Sequence, residues 1–69
     1  MYEYQVPKEY DGKSLLDLVR HMGLEMGFEW NPNVYLASLD SKFIALNYMQ
    51  ETLVREGQLV KVIMLPAGG

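Results

Sequence analysis

The apolar run Leu59-Val60-Lys61-Val62-Ile63-Met64-Leu65 restricts the fold of this chain more than any other feature. Val60, Val62 and Met64 alternate onto one face, and most of the other face is apolar too. Continuous apolar character is typical of a strand that is buried on both sides, in the middle of a sheet. The turn residues before the run and Pro66 after it mark its ends. The run therefore predicts a central strand.

The clearest helix signal in the chain begins at Ser14. Its hydroxyl can accept a hydrogen bond from the first free backbone amides, and Asp17 completes the spacing of a capping box. The residues that follow place one apolar stripe on the helix, made of Leu15, Leu18, Val19 and Met22. Gly23 comes directly after this stripe and suits a left-handed helix end. The pattern predicts a helix over residues 15–22.

The remaining segments read as short strands and loops. Alternation over residues 2–6 predicts a first strand that ends at Pro7, and Asp11-Gly12 indicates a turn with, at most, a stub of a second strand. Residues 24–33 are predicted to form a loop. Residues 34–39 and 42–45 read as strands joined by a turn at Asp40-Ser41, and residues 47–56 as a connector with one possible helical turn. One helix packed across one mixed sheet is a two-layer α+β fold.

Composition limits the class of protein. The 69 residues carry a net charge of −3 and no cysteine, so we expect one domain over residues 1–69 with a small core. The six basic residues are scattered, which argues against a nucleic-acid partner. No apolar stretch reaches the ~20 residues of a membrane span, and the lack of cysteine suits the cytoplasm. A protein partner is the expectation.

The residues that could carry chemistry do not form a recognisable catalytic set. His21 is the only histidine, and the helical period places it away from the apolar stripe, as an exposed residue of the last turn. With no cysteine and no second histidine, a metal site is not expected. Ser14 and Ser38 have no local base. These observations predict a protein that is not itself an enzyme.

Two further segments bear on function. Phe28 and Trp30, in the loop, are predicted to cover the core rather than to anchor a partner, although large aromatic residues do both. At the end of the sequence, the predicted strand leads into Pro66-Ala67-Gly68-Gly69. Glycine maximises backbone freedom, so residues 66–69 are predicted to form a flexible tail that could thread a narrow channel in another protein.

The stretch from Glu56 to Gly69 resembles the end of the ThiS/MoaD group of bacterial and archaeal sulfur carriers. In that group an acid-Gly-acid turn leads into an apolar strand and a terminal Gly-Gly. The helix onset at residues 14–18 is also similar. Gln58 departs from the usual acid, Asp40-Ser41 replaces the commoner Asn-Gly turn, and the N-terminal hairpin looks short. The resemblance covers most of the chain, but only its C-terminal motif is specific.

The resemblance implies a β-grasp, ubiquitin-like fold and a carrier function. It implies that an activating enzyme uses ATP to adenylate the carboxylate of Gly69, which is then converted to a thiocarboxylate. A sulfur-acceptor synthase would consume this group, and the carrier itself would bind no cofactor. Recognition would need a docking surface as well as the tail, for which we name Leu65, Ile63 and Phe43, with core packing as the alternative for each and most evenly balanced for Phe43.

The resemblance leaves the pathway open. A length of 69 residues favours a carrier for the thiazole ring of thiamine, with thiazole synthase as the acceptor. Pro66 and the Ala-Gly-Gly ending also suit a small subunit of molybdopterin synthase, in molybdenum or tungsten cofactor biosynthesis. A protein modifier that joins Gly69 to lysine, or a β-grasp interaction module without carrier function, are further alternatives.

Overall fold

A computed structural model of the chain describes residues 1 to 66. It contains one α-helix, α1 (Leu15–Met26), and four strands, β1 (Tyr2–Gln5), β2 (Tyr35–Leu39), β3 (Lys42–Ile44) and β4 (Leu59–Met64). Short 3₁₀ turns lie at Lys8–Tyr10 and Leu46–Tyr48. The helix packs against one face of the sheet, so the predicted two-layer α+β architecture is confirmed. Residues 67–69 lie outside the described part.

The strand order in the sheet is β1-β4-β2-β3, which confirms that β4 is central. Within residues 1 to 66 every neighbouring pair of strands is antiparallel, so the prediction of a mixed sheet was wrong. The reason lies in the connections. A single helical crossover joins β1 to β2, and both run in the same direction. Because β4 lies between them and runs the opposite way, no two neighbours are parallel.

Burial of β4 differs on its two faces. Val60 and Val62 face α1 and are fully buried, whereas Lys61 and Ile63 on the other face are half-buried. Met64 is 60% exposed. The prediction that both faces are buried was therefore wrong, because only one layer of helix covers the sheet. The face away from α1 is called the outer face below.

The helix continues four residues past its predicted end. It ends at Gly27, which has a φ of 84° and donates its N–H to the Gly23 carbonyl at 2.9 Å. Gly23 lies inside the helix, where a Cβ atom would collide with the backbone carbonyl oxygen of Phe28. Glycine is needed there for this close approach, not for a left-handed turn. The apolar stripe stops early because Leu24 and the two residues after it are solvent-exposed.

No strand stub follows the first strand. Lys8–Tyr10 is a 3₁₀ turn, and the chain after it pairs with the segment that precedes β4. Gly12 donates to the Val54 carbonyl, Val54 donates to the Lys13 carbonyl, both at 2.8 Å, and the Asp11 carboxylate accepts from the Glu56 N–H. These long-range bonds use the backbone groups that a hairpin would have needed.

The turn between β2 and β3 has the predicted position. Asp40 and Ser41 both have positive φ, 48° and 71°, as in the primed turns of two-residue hairpins. The Asp40 carboxylate accepts from the Leu59 N–H at 2.9 Å and from Gln58 Nε2 at 3.0 Å. Gln58 in turn accepts from the Arg55 N–H at 2.7 Å. The amide of Gln58 can donate and accept at once, which an acid at this position could not do when ionised.

The core lies between α1 and the inner face of the sheet. The connector before β4 closes it, because Met49 and Val54 are buried and the carbonyls of Met49 and Thr52 accept from the first amides of α1. The largest fully buried side chains are Leu15, Leu18, Val19, Met22, Met49, Val54, Val60 and Val62. No helix within residues 1 to 66 has the length and apolarity to cross a membrane.

Candidate functional site

The hydrogen-bonded ladder of the central strand β4 stops close to Pro66, where the C-terminal segment begins. The Leu65 N–H donates to the Val34 carbonyl at 2.7 Å, which adds one ladder bond beyond β4. Pro66 follows and is exposed, and it has no N–H with which to continue the ladder. The chain therefore leaves the sheet at the C-terminal end of the central strand, at Leu65. The predicted attachment residue, Gly69, and the predicted tail residues Ala67 and Gly68 lie outside the described residues.

An apolar patch lies on the outer face beside this exit. Ile63 of β4 is paired with Leu36 of β2, and Phe43 of β3 is paired with Ser38, two positions along the same face from Leu36. Phe43 is 58% exposed and Leu36 is 41% exposed. We call Leu36, Phe43 and Ile63 the outer patch. Exposed neighbouring apolar groups of this kind mark surfaces that other proteins bind.

Polar groups border the outer patch. Lys61 and Glu3 lie on the same face and form an ion pair with 3.7 Å between Nζ and Oε1. Ser38, paired with Phe43 and Lys61, is only 3% exposed. An exposed ion pair of this kind contributes little to stability. It provides a charged rim, which is the arrangement found at protein interfaces.

The predicted docking residues are only partly brought together. Ile63 and Phe43 share the outer face, so core packing was the wrong alternative for Phe43. Leu65 lies one residue past β4 and is half-buried. Sequence reasoning missed Leu36. The sequence does show apolar residues on both faces of β2. Their alternation does not indicate which face the helix covers, and so does not show that Leu36 is on the uncovered face.

His21 occupies a different environment from the one predicted. Because α1 runs to Met26, His21 lies inside the helix and not in its last turn. Its ring stacks on Tyr10 with 4.6 Å between centroids, and its Nε2 lies 3.1 Å from Glu25 Oε1. The Tyr4 hydroxyl donates to the other oxygen of Glu25 at 2.7 Å. Burial and the neighbouring Glu25 carboxylate raise the pKa of Tyr4 to about 12. This cluster ties α1 to β1.

The aromatic loop covers one end of the core, as predicted. Phe28 stacks on Tyr2 with 4.4 Å between ring centroids, and Trp30 stacks on Tyr35 at 6.2 Å. Both loop residues pack against the buried cluster. The Trp30 Nε1 is buried and has no hydrogen-bond partner. The primary role of these rings is packing.

The outer patch is the exposed apolar surface that lies beside the point where the chain leaves the sheet. Within residues 1 to 66, no three His, Asp or Glu side chains lie close enough to hold a metal ion. The Tyr4, His21 and Glu25 cluster joins α1 to β1. The outer patch and the C-terminal segment next to it are the candidate functional features.

Comparisons with protein-family models, with curated proteins and with solved structures find no match for this chain. The likeness of residues 56–69 to sulfur carriers is thus a likeness of motif alone.

Proposed function

We propose that this chain is a sulfur carrier whose Gly69 carboxylate is adenylated and then converted to a thiocarboxylate for cofactor biosynthesis. The thiazole of thiamine is the more fitting pathway. One observation supports the proposal above the others: the central strand leads directly into the Pro66-Ala67-Gly68-Gly69 sequence, and within residues 1 to 66 the last ladder bond is at Leu65. A folded body followed, after Pro66 and Ala67, by two residues without side chains suits delivery of a carboxylate to another protein.

The chemistry proposed needs little from the carrier. A carboxylate is a poor electrophile, whereas its mixed anhydride with AMP has a good leaving group. The carboxylate attacks the α-phosphorus of ATP and releases pyrophosphate. Hydrosulfide then attacks the acyl carbon, AMP leaves, and the thiocarboxylate remains. The activating enzyme supplies the phosphate-binding and catalytic groups. This chain supplies the carboxylate and a surface that positions it.

The outer patch suits the docking role because it lies close to the exit of the tail. Ile63 is two residues before Leu65, on the face where Leu36 and Phe43 are exposed. Four residues beyond Leu65 can extend roughly 13 Å at about 3.3 Å each. A partner bound to the outer patch could therefore receive Gly69 while the body of the carrier stays outside its active site.

A second candidate is an interaction module that carries no sulfur. The observation in its favour is the sheet, which is antiparallel throughout residues 1 to 66, whereas the β-grasp resemblance implied a mixed sheet. The outer patch would serve such a module equally well. The two candidates differ in the chemistry at Gly69, which an experiment can separate.

The test is the intact mass of the full chain after expression in a bacterial host that makes both thiamine and molybdopterin. We expect a population heavier by the exchange of one oxygen for one sulfur, located at Gly69 by fragmentation. The matched control lacks Gly68 and Gly69. Incubation with ATP and the host's activating enzymes should release pyrophosphate with the full chain only. If no thiocarboxylate and no pyrophosphate form with any of those enzymes, the interaction module is the better reading.

A further inference from the structure

The free edge of β3 carries unpaired backbone groups whose identity follows from the register. Asp40 N–H bonds to the Leu59 carbonyl and Leu65 N–H to the Val34 carbonyl. Even-numbered residues of β2 therefore direct their backbone groups to β4, since these groups alternate sides along an antiparallel strand. Odd-numbered residues direct theirs to β3, where Ala37 pairs with Ile44 and Leu39 with Lys42. Phe43 is left with its N–H and C=O pointing away from the sheet.

A groove runs beside this edge. It has a volume of about 300 Å³ and is lined by Lys42, Phe43, Ile44, Ala45, Tyr48 and Thr52. Tyr48 is largely exposed, and the Thr52 hydroxyl donates to the Tyr48 carbonyl at 2.8 Å, which fixes the far wall of the groove. A strand added to β3 would place alternate side chains in this groove and on the outer patch.

The positive charge of Lys42 in the groove lining favours an added peptide strand that is acidic. Lys42 is the charged residue in its lining, and within residues 1 to 66 it makes no ion pair. A lysine on an edge strand disfavours indiscriminate pairing with other strands, and its charge attracts an acidic segment and repels a basic one. The opposite edge of the sheet, β1, carries Glu3 instead, which does not favour the same partner.

We propose that β3 binds an extended acidic peptide segment of a partner protein, which adds to the sheet as a fifth strand. The Phe43 N–H and C=O bond to the peptide backbone. Apolar side chains of the peptide pack on Phe43 at the outer patch, and a carboxylate on the opposite face of the peptide enters the groove and pairs with Lys42. This is strand addition, in which main-chain bonds give affinity and alternate pockets give specificity. The proposal does not depend on Gly69.

The probe is a seven-residue peptide that alternates valine and glutamate, titrated into the full chain while backbone amide signals are followed. In the free protein the Phe43 amide should exchange with solvent faster than those of Lys42 and Ile44. On binding, the Phe43 amide should become protected and the Lys42 and Tyr48 signals should shift. The control peptide, alternating valine and lysine, should bind at least about tenfold more weakly.

Two variants separate backbone pairing from simple contact with the phenyl ring. Phe43→Pro removes the outward N–H at an edge position where proline is tolerated, and Phe43→Ala keeps that N–H. Proline should weaken binding clearly more than alanine does. The truncation of Gly68 and Gly69 should leave binding unchanged, so this result is independent of carrier function. Equal effects of both variants, an absence of Phe43 protection, or shifts at Glu3 and Gln5 instead would overturn the proposal.

Discussion

Among single residues, Gly23 has the most specific requirement in the fold. Replacing glycine by alanine inside a helix usually stabilises a protein by up to about 1 kcal/mol. Here the added Cβ would meet the Phe28 carbonyl oxygen. We expect Gly23→Ala to lower the free energy of unfolding by about 1–3 kcal/mol, as overpacking does. Urea unfolding measures this, with Leu24→Ala as the control because Leu24 is 87% exposed. A stabilised Gly23→Ala would show that the loop after α1 can move away.

The raised pKa of Tyr4 makes the stability of the fold depend on pH in the alkaline range. Its pKa is raised from 10.0 to about 12 by burial and by the Glu25 carboxylate. Below pH 10 the hydroxyl is protonated in both states, and its contribution to stability is fully present. Between pH 10 and about 12 the unfolded chain loses the proton first, so stability falls as pH rises.

We therefore expect Tyr4→Phe to reduce the loss of stability between pH 10 and 12. The measurement is the urea midpoint at several pH values in this range. Tyr48→Phe is the matched control, since Tyr48 is exposed on another part of the surface. If the two variants gave the same profile as the parent chain, the bond between Tyr4 and Glu25 would not form in solution.

At the scale of elements, α1 and β4 hold the layers together. Leu18 and Val62 are fully buried from opposite sides of the interface between helix and sheet. Leu18→Ala and Val62→Ala should each cost about 1–4 kcal/mol, through lost transfer free energy and the cavity that remains. For a domain of this size that is a large part of the total stability. Thermal unfolding measures the loss, and Leu36→Ala on the outer face should cost clearly less.

Local chemistry explains which elements could be predicted from the sequence. The start of α1 depends on Ser14, whose hydroxyl accepts from the Asp17 N–H at 3.1 Å, and the turn at Asp40-Ser41 depends on its two residues. The sequence offers two glycines, Gly23 and Gly27, as the helix end, and the choice between them depends on where Phe28 packs against Gly23. The direction of β1 beside β4 depends on the helical crossover between distant strands. Which face of β4 is buried depends on the same crossover.

The candidate site, too, could be predicted from the sequence only where its signals are local. The sequence marks the tail, because the Gly-Gly motif is local, and alternation along β4 and β3 suggests Ile63 and Phe43. Leu36 and the open backbone groups of Phe43 become visible only when the register of β2 with both neighbours is known. Periodicity indicates the two faces of a single strand. To predict a surface that several strands share, the order and register of those strands must also be known.

At the scale of the molecule, α1 covers one face of the sheet within residues 1 to 66, and the outer face holds the outer patch close to the exit of the C-terminal segment. Partner binding through this face should therefore be lost by changes there and kept after similar changes on α1. If the chain is the proposed carrier, we expect Leu65→Glu to weaken binding to the proposed activating enzyme by at least about tenfold, because it places a charge at an interface that excludes water. Phe43→Glu should act in the same direction. Titration calorimetry measures the affinity, and circular dichroism checks that each variant is folded.

Leu24→Glu is the matched control, because Leu24 is an exposed leucine of α1, on the other side of the sheet. Equal loss for Leu24→Glu and Leu65→Glu would point to a general charge effect, and unchanged affinity for Leu65→Glu and Phe43→Glu would place the docking surface elsewhere.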